Sequence, residues 1–231
     1  MRKIGLIGGM SWESTVVYYQ LLNRLARDKL GGLHSANLLL WSFDFADIEK
    51  YQSSGDWEGV TELMIAAARS LEQGGADCIV ICTNTMHKMA AEVQASVDIP
   101  LVHIADATAP AIKAAKSSAP LLLATRYTME QDFYKGYLQQ HHNIEVVIPT
   151  SAERTTVHDI IYKELCLGIV RPESKARYLS VIEKSMSKAG ADAVIFGCTE
   201  VGLLLSDDDI TQPTFDTTAL HAQAAMDFAL S

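Results

Sequence analysis

Short apolar runs alternate along the chain with longer stretches in which apolar residues recur every three to four positions. Residues 3–8 form a run of the first kind and end in Gly8-Gly9. Ser11 stands where a helix cap belongs, and residues 12–30 carry the pattern of a helix. Residues 37–43, rich in Leu and aromatics, read as a strand. Asp56 can cap a helix running to about Gly74, in which Val60, Leu63, Met64, Ala67 and Leu71 share one face. Residues 78–82 are apolar throughout, as in a strand buried on both faces of a parallel sheet. Further strands are predicted at 121–124 and 193–196. Helices are predicted near 128–141, 153–168 and 173–189, and from about Thr217 to the end. Thr128-Met129-Glu130-Gln131 has the spacing of a capping box. Strands alternating with helices predict an α/β protein with parallel sheets.

The pattern occurs twice. Gly75-Ala76-Asp77-Cys78-Ile79-Val80-Ile81-Cys82-Thr83-Asn84 lines up with Gly190-Ala191-Asp192-Ala193-Val194-Ile195-Phe196-Gly197-Cys198-Thr199, an offset of 115. The same offset places Ile7-Gly8-Gly9-Met10-Ser11 on Leu122-Leu123-Ala124-Thr125-Arg126. Two matches at one offset, both at strand ends, predict a duplicated unit. The expected molecule has two pseudo-symmetric lobes, each a parallel sheet flanked by helices, with the active site in the interlobe cleft. Residues 1–106 plus 217–231 form one lobe and 107–216 the other.

Composition narrows the function. The 231 residues carry a net charge of −9, which disfavours nucleic acid as a partner. No apolar run approaches the ~18 residues of a membrane span, and the apolar start is too short for a signal peptide, so no membrane partner and a cytoplasmic location are expected. The four cysteines, Cys78, Cys82, Cys166 and Cys198, are then reduced thiols. Their spacing fits no zinc site, and no metal is expected.

In parallel sheets ligands collect at the carboxyl ends of strands. Four such ends carry glycine, hydroxyl or amide residues: Gly8-Gly9-Met10-Ser11, Cys82-Thr83-Asn84-Thr85, Thr125-Arg126-Tyr127-Thr128 and Gly197-Cys198-Thr199-Glu200. None has a phosphate-loop Lys, and the first does not fit the dinucleotide fingerprint. A small carboxylate suits them better. Thr83 and Cys198 are equivalent in the repeat. If the lobes face each other, the two side chains meet one ligand from opposite sides, which suits inversion at a carbon bearing an acidic hydrogen.

At these residues the chain resembles a known family. Ile4-Gly5-Leu6-Ile7-Gly8-Gly9-Met10, Thr83-Asn84-Thr85-Met86-His87 and Phe196-Gly197-Cys198-Thr199-Glu200 look like the signatures of the cofactor-independent aspartate/glutamate racemases, over nearly the whole chain. The match is closest to the bacterial L-aspartate/glutamate-specific or broad-specificity amino-acid racemases. The resemblance implies no PLP, no metal, a small amino acid as substrate and a homodimer. It implies Thr83 and Cys198 as the catalytic pair, with Met10, Gln52, Asn84, Thr85, Thr125, Thr128 and Thr199 binding substrate.

Two departures from the family pattern matter. The usual pair is two cysteines, and here Thr83 stands at one of the positions. Cys82, one residue early, points to the other face of its strand. A hydroxyl is a poor acid and base, so Cys198 as thiolate is expected to act on one enantiomer and to favour it; the resemblance to glutamate racemases, whose second-lobe cysteine handles the L-enantiomer, implies that this is the L form. Ile48 and Cys166 occupy positions where aspartate-specific members carry Arg and Lys, which leaves Gln52, Lys163 or Arg126 to hold the far end of the substrate. Thr125 and Thr128 look like an exposed pair that could equally be caps. His87 reads as a packed, hydrogen-bonded residue. Two other readings fit the same residues: a cysteine-dependent decarboxylase or isomerase on this scaffold, and an amino-acid-binding protein that has lost its chemistry.

Overall fold

The computed structural model describes all 231 residues, the side chain of Asp207 excepted. In chain order the elements are β1 (Ile4–Gly8), α1 (Trp12–Leu30), β2 (Leu38–Ser42), α2 (Phe45–Ser54), α3 (Trp57–Gln73), β3 (Cys78–Ile81), α4 (Ala90–Ala95), α5 (Ile104–Ala114), β4 (Pro120–Leu123), α6 (Arg126–Glu130), α7 (Asp132–His142), α8 (Ser151–Lys163), α9 (Pro172–Ala189), β5 (Ala193–Phe196), α10 (Val201–Leu204), β6 (Thr214–Asp216) and α11 (Thr217–Leu230). Short 3₁₀ turns occupy Thr85–Met89, Leu165–Leu167 and Asp207–Asp209. The chain divides into two compact units, Met1–His103 with His221–Ser231, and Ile104–Leu220.

The first unit is a parallel sheet in the order β2-β1-β3, extended by a bridge from Ile79 to Leu101. Side chains alternate across it, as a strand requires. Ile4 and Leu6 of β1, with Cys78, Val80 and Cys82, face Tyr18, Leu22 and Ala26 of α1 and Ala222, Ala225 and Met226 of α11. Ile7, Ile79 and Ile81 face Ile48 of α2, Val60, Met64 and Ala67 of α3, and Val93 of α4. Helices therefore cover both faces, which is why β3 is apolar along its whole length.

The second unit repeats the plan. Its parallel sheet runs β4-β5-β6, extended by a bridge from Leu121 to Val147, and one apolar cluster fills it. The repeated Gly-Ala-Asp does the same work in both units. The Asp77 carboxylate accepts from the Lys3 N–H and the Asp77 N–H donates to the Lys3 carbonyl. Asp192 accepts from the Ala119 N–H and donates to the Ala119 carbonyl.

The register refines the repeat. Cys78 lies opposite Ile4 and Ala193 opposite Pro120, so β3 and β5 are offset by the expected 115 but β1 and β4 by 116. Gly8 therefore corresponds to Ala124.

Three local expectations are corrected. Thr128 opens no capping box: the Thr125 side chain caps α6 from one turn earlier, and Gln131, in extended conformation, separates α6 from α7. The reciprocal box is at Thr150 and Glu153, where α8 begins. The helix expected over 153–168 spans Ser151–Lys163 and gives way to the Leu165–Leu167 turn.

Candidate active site

Two loops at the carboxyl end of the first sheet carry most of that unit's candidates. After β1, Gly9 has φ of +85°, and a Cβ there would lie 2.3 Å from the Phe43 carbonyl oxygen. Only glycine fits. The Thr15 hydroxyl accepts from the Gly9 N–H at 2.8 Å and donates to the Ser11 carbonyl at 2.9 Å, fastening the loop to α1, which Ser11 caps. Met10 is buried against the α3 side of the sheet, and Gln52 is buried on α2.

After β3, Cys82 turns into the core beside Tyr18 and Leu22, and burial pushes its thiol far above the usual range. Thr83 is the half-buried residue of the next turn, followed by buried Asn84 and Thr85. The Thr83 carbonyl accepts from His87 Nδ1 at 2.8 Å. His87 stands edge-on to His103 (4.8 Å) and His221 (5.6 Å). His221 donates from Nε2 to the Val102 carbonyl at 2.7 Å, so its Nδ1 accepts from the Tyr18 hydroxyl at 2.8 Å. Burial, with the neighbouring histidines, holds His87 well below its ordinary value, and burial lowers His221 to about 4. Both are neutral at pH 7, and the Thr83 turn rests on a packed polar network.

The second unit places its candidates at the ends of neighbouring strands β4 and β5. A Cβ on Gly197 would lie 2.5 Å from Leu122 Cδ1, so the residue before Cys198 must be small. Cys198 is half-buried and its thiol donates to Glu200 Oε2 at 2.8 Å. The same oxygen accepts from the Thr199 hydroxyl at 2.7 Å, and Cys166 Sγ lies 3.6 Å from Glu200 Oε1. Burial, then the Glu200 carboxylate and the Cys166 thiol, push the Cys198 thiol well above the usual range. A thiolate is what the sequence predicts. The structure instead gives a thiol beside a carboxylate.

Thr125 and Thr128 are buried rather than exposed, their hydroxyls 3.2 Å apart. Ile48 is wholly buried on α2, and Lys163 is an exposed partner of Asp159.

The expected site residues thus fall on two sets of strand-end loops, Met10, Thr83, Asn84 and Thr85 in one unit and Thr125, Cys198 and Thr199 in the other, with Gln52 on α2. Glu200 was given no role from sequence, although a carboxylate two residues after a cysteine in a strand-end turn was visible there. The family model for Asp/Glu/hydantoin racemases matches residues 7–225. The chain belongs to that family. A candidate Asp/Glu racemase from Yersinia pestis is 51% identical over the full length of both chains, with a TM-score of 0.91. An aspartate racemase homologue from Pyrococcus horikoshii OT3 is 35% identical, again over both full chains, with a TM-score of 0.86. The broad specificity amino-acid racemase RacX of Bacillus subtilis is 25% identical over 175 residues, 74% of this chain and 73% of its own. The protein is therefore a racemase of the Asp/Glu type, an isomerase whose substrate is a small molecule of the amino-acid kind.

Proposed function

We propose that the protein interconverts L- and D-amino acids without PLP, acting on L-glutamate and L-aspartate and also on neutral relatives such as L-homoserine. The observation that carries this reading is the 2.8 Å contact from the Cys198 thiol to the Glu200 carboxylate. The thiol proton passes to Glu200, and the thiolate then removes the Cα proton of the L-amino acid. Donors on Asn84, Thr85 and Thr199 hold the α-carboxylate and stabilise the charge that builds on it. The Thr83 hydroxyl delivers a proton to the opposite face and is reprotonated from solvent, while Glu200 returns its proton to water. The enzyme favours the L-enantiomer, because a hydroxyl is a far weaker base than a thiolate. The equilibrium constant of a racemisation is one, so kcat/KM is equal in the two directions and the preference resides in kcat and KM separately. We place the enzyme in the cytoplasm as a homodimer.

Incubation with L-glutamate, L-aspartate and L-homoserine in D₂O tests the reading. Deuterium at Cα together with the D-enantiomer is expected. Release of CO₂ would mark a decarboxylase, and binding without exchange would mark a protein that only senses its ligand. Thr83→Cys is expected to raise kcat from the D-enantiomer. No gain there would show that Thr83 does not serve the second face.

A further inference from the structure

Most cations of the second unit are already paired or stand in water. Lys135, Arg154, Lys163, Arg171, Lys175 and Lys184 each lie within 4.0 Å of a carboxylate. Lys113, Lys116, Arg177 and Lys188 have no such partner among the described residues, but all four are exposed. Arg126 differs from both groups. It is half-buried, and no carboxylate among the described residues lies within ion-pair distance of it. Its guanidinium has a neutral neighbour, donating from Nη2 to the Thr155 hydroxyl at 3.0 Å.

Its place in the fold is that of a ligand-binding side chain. Arg126 is the first residue of α6, directly after the Thr125 cap at the carboxyl end of β4. β4 pairs with β5, whose own carboxyl end leads into Cys198. The Arg126 N–H donates to His158 Nδ1 at 3.3 Å, which leaves the His158 proton on Nε2 and makes that edge of the ring a donor. His158 lies between Tyr127, edge-on at 5.9 Å, and Tyr162 at 4.6 Å. The guanidinium is thus held on α8 by a neutral hydroxyl, one turn from His158, with no carboxylate among the described residues within ion-pair distance. A half-buried cation without a counter-charge is costly, and a fork of N–H donors matches a carboxylate in two bonds.

We propose that Arg126 binds the side-chain carboxylate of an acidic amino acid and so sets the preference for glutamate and aspartate over their neutral isosteres. The proposal rests on the racemase reading above and adds to it the residue that reads the substrate's far end. The Thr155 hydroxyl holds the guanidinium when the site is empty.

Equilibrium binding of L-glutamate and of L-glutamine, measured by calorimetry on wild type, Arg126→Met and Arg126→Lys, tests it. The two ligands differ only in the far carboxylate. Arg126→Met is expected to lose ~10–100-fold on glutamate and less than ~3-fold on glutamine, the scale of a lost charge-assisted pair. Arg126→Lys keeps the charge but not the fork, so it should fall between wild type and Met on glutamate with glutamine unmoved. It also gives the answer should the Met variant fail to fold. Equal losses on both ligands would show that Arg126 grips the α-carboxylate or only the fold, and unchanged glutamate binding would show that it grips nothing; either overturns the proposal. The Cα-exchange rate of wild type is read alongside. Glutamate bound through Arg126 but never exchanged would contradict the racemase reading and leave the assignment of Arg126 standing.

Discussion

At the scale of single residues, the chemistry turns on where one proton sits. Cys198 is a thiol held against Glu200, with Thr199 donating to the same oxygen and Cys166 lying near the other. Two consequences follow for Glu200→Gln, and they point in opposite directions. Neutralising the carboxylate removes a charge that raises the Cys198 thiol, so alkylation by iodoacetamide at a fixed pH near 8 should become faster. Racemisation should become slower, by ~10²-fold or more, because the acceptor of the thiol proton is gone. Slower alkylation would show that Glu200 does not hold the thiol up; unchanged racemisation would show that it takes no proton. The place of Cys198 in the turn after a buried strand was legible from the repeat and the motif around it. Its surroundings were not, because Cys166 comes from a turn 34 residues before Glu200 and only the fold brings the two together. Reading Thr125 and Thr128 as exposed failed for a related reason, since a polar side chain at a strand end gives no sign of whether a following helix will cover it.

At the scale of elements, most strands and the long helices were legible because each buries one continuous stripe or run, whereas β2, half exposed at its sheet edge, was legible from its run of Leu and aromatics. The elements that went unread lack that signal. α5 contains Pro110, which reads as a helix breaker, and its face is built largely from Ala and Thr. β6 is three residues long. α2 presents Ile48 and Gln52 as its buried residues, too few to show a period. The polar network behind the Thr83 turn joins α1, the Thr85–Met89 turn, the segment at Val102 and α11, and it makes the first unit sensitive to acid. His221 takes up a proton at about 4 in the folded chain and near its ordinary 6.5 when unfolded. Between those values the unfolded chain binds more protons, so stability present above pH 6.5 is lost as the pH falls towards 4. The loss from His221 comes to about 3 kcal/mol, with His87 adding in the same direction. Urea unfolding of wild type at pH 7.5 and 4.5 is expected to show this drop, and His221→Gln should flatten it. Equal pH dependence in the two proteins would mean that His221 takes up its proton at the same pH in the folded and unfolded chain.

At the scale of the whole molecule, the 231 residues form two units of one plan, down to the Asp that ties each central pair of strands. That repeat was written in the letters, and its one-residue slip between β1 and β4 emerges only from strand register. Among the described residues no helix is long and apolar enough to cross a membrane. The outer face of α1 nevertheless exposes Trp12, Val16 and Tyr19, spaced so that they form one stripe. Such a face is where a second copy would dock in the homodimer we propose. Sedimentation should give a dimer for wild type and a monomer for Val16→Glu/Tyr19→Glu; a monomeric wild type would reject the assembly. The central claim, that the Cys198 thiolate takes the Cα proton of an L-amino acid, is tested most directly by the initial rate of deuterium entry at Cα of L-glutamate in D₂O, in wild type and in Cys198→Ser. The expected result is steady exchange by wild type and a rate lower by ~10²-fold or more in the variant. Exchange at the wild-type rate by Cys198→Ser would contradict it.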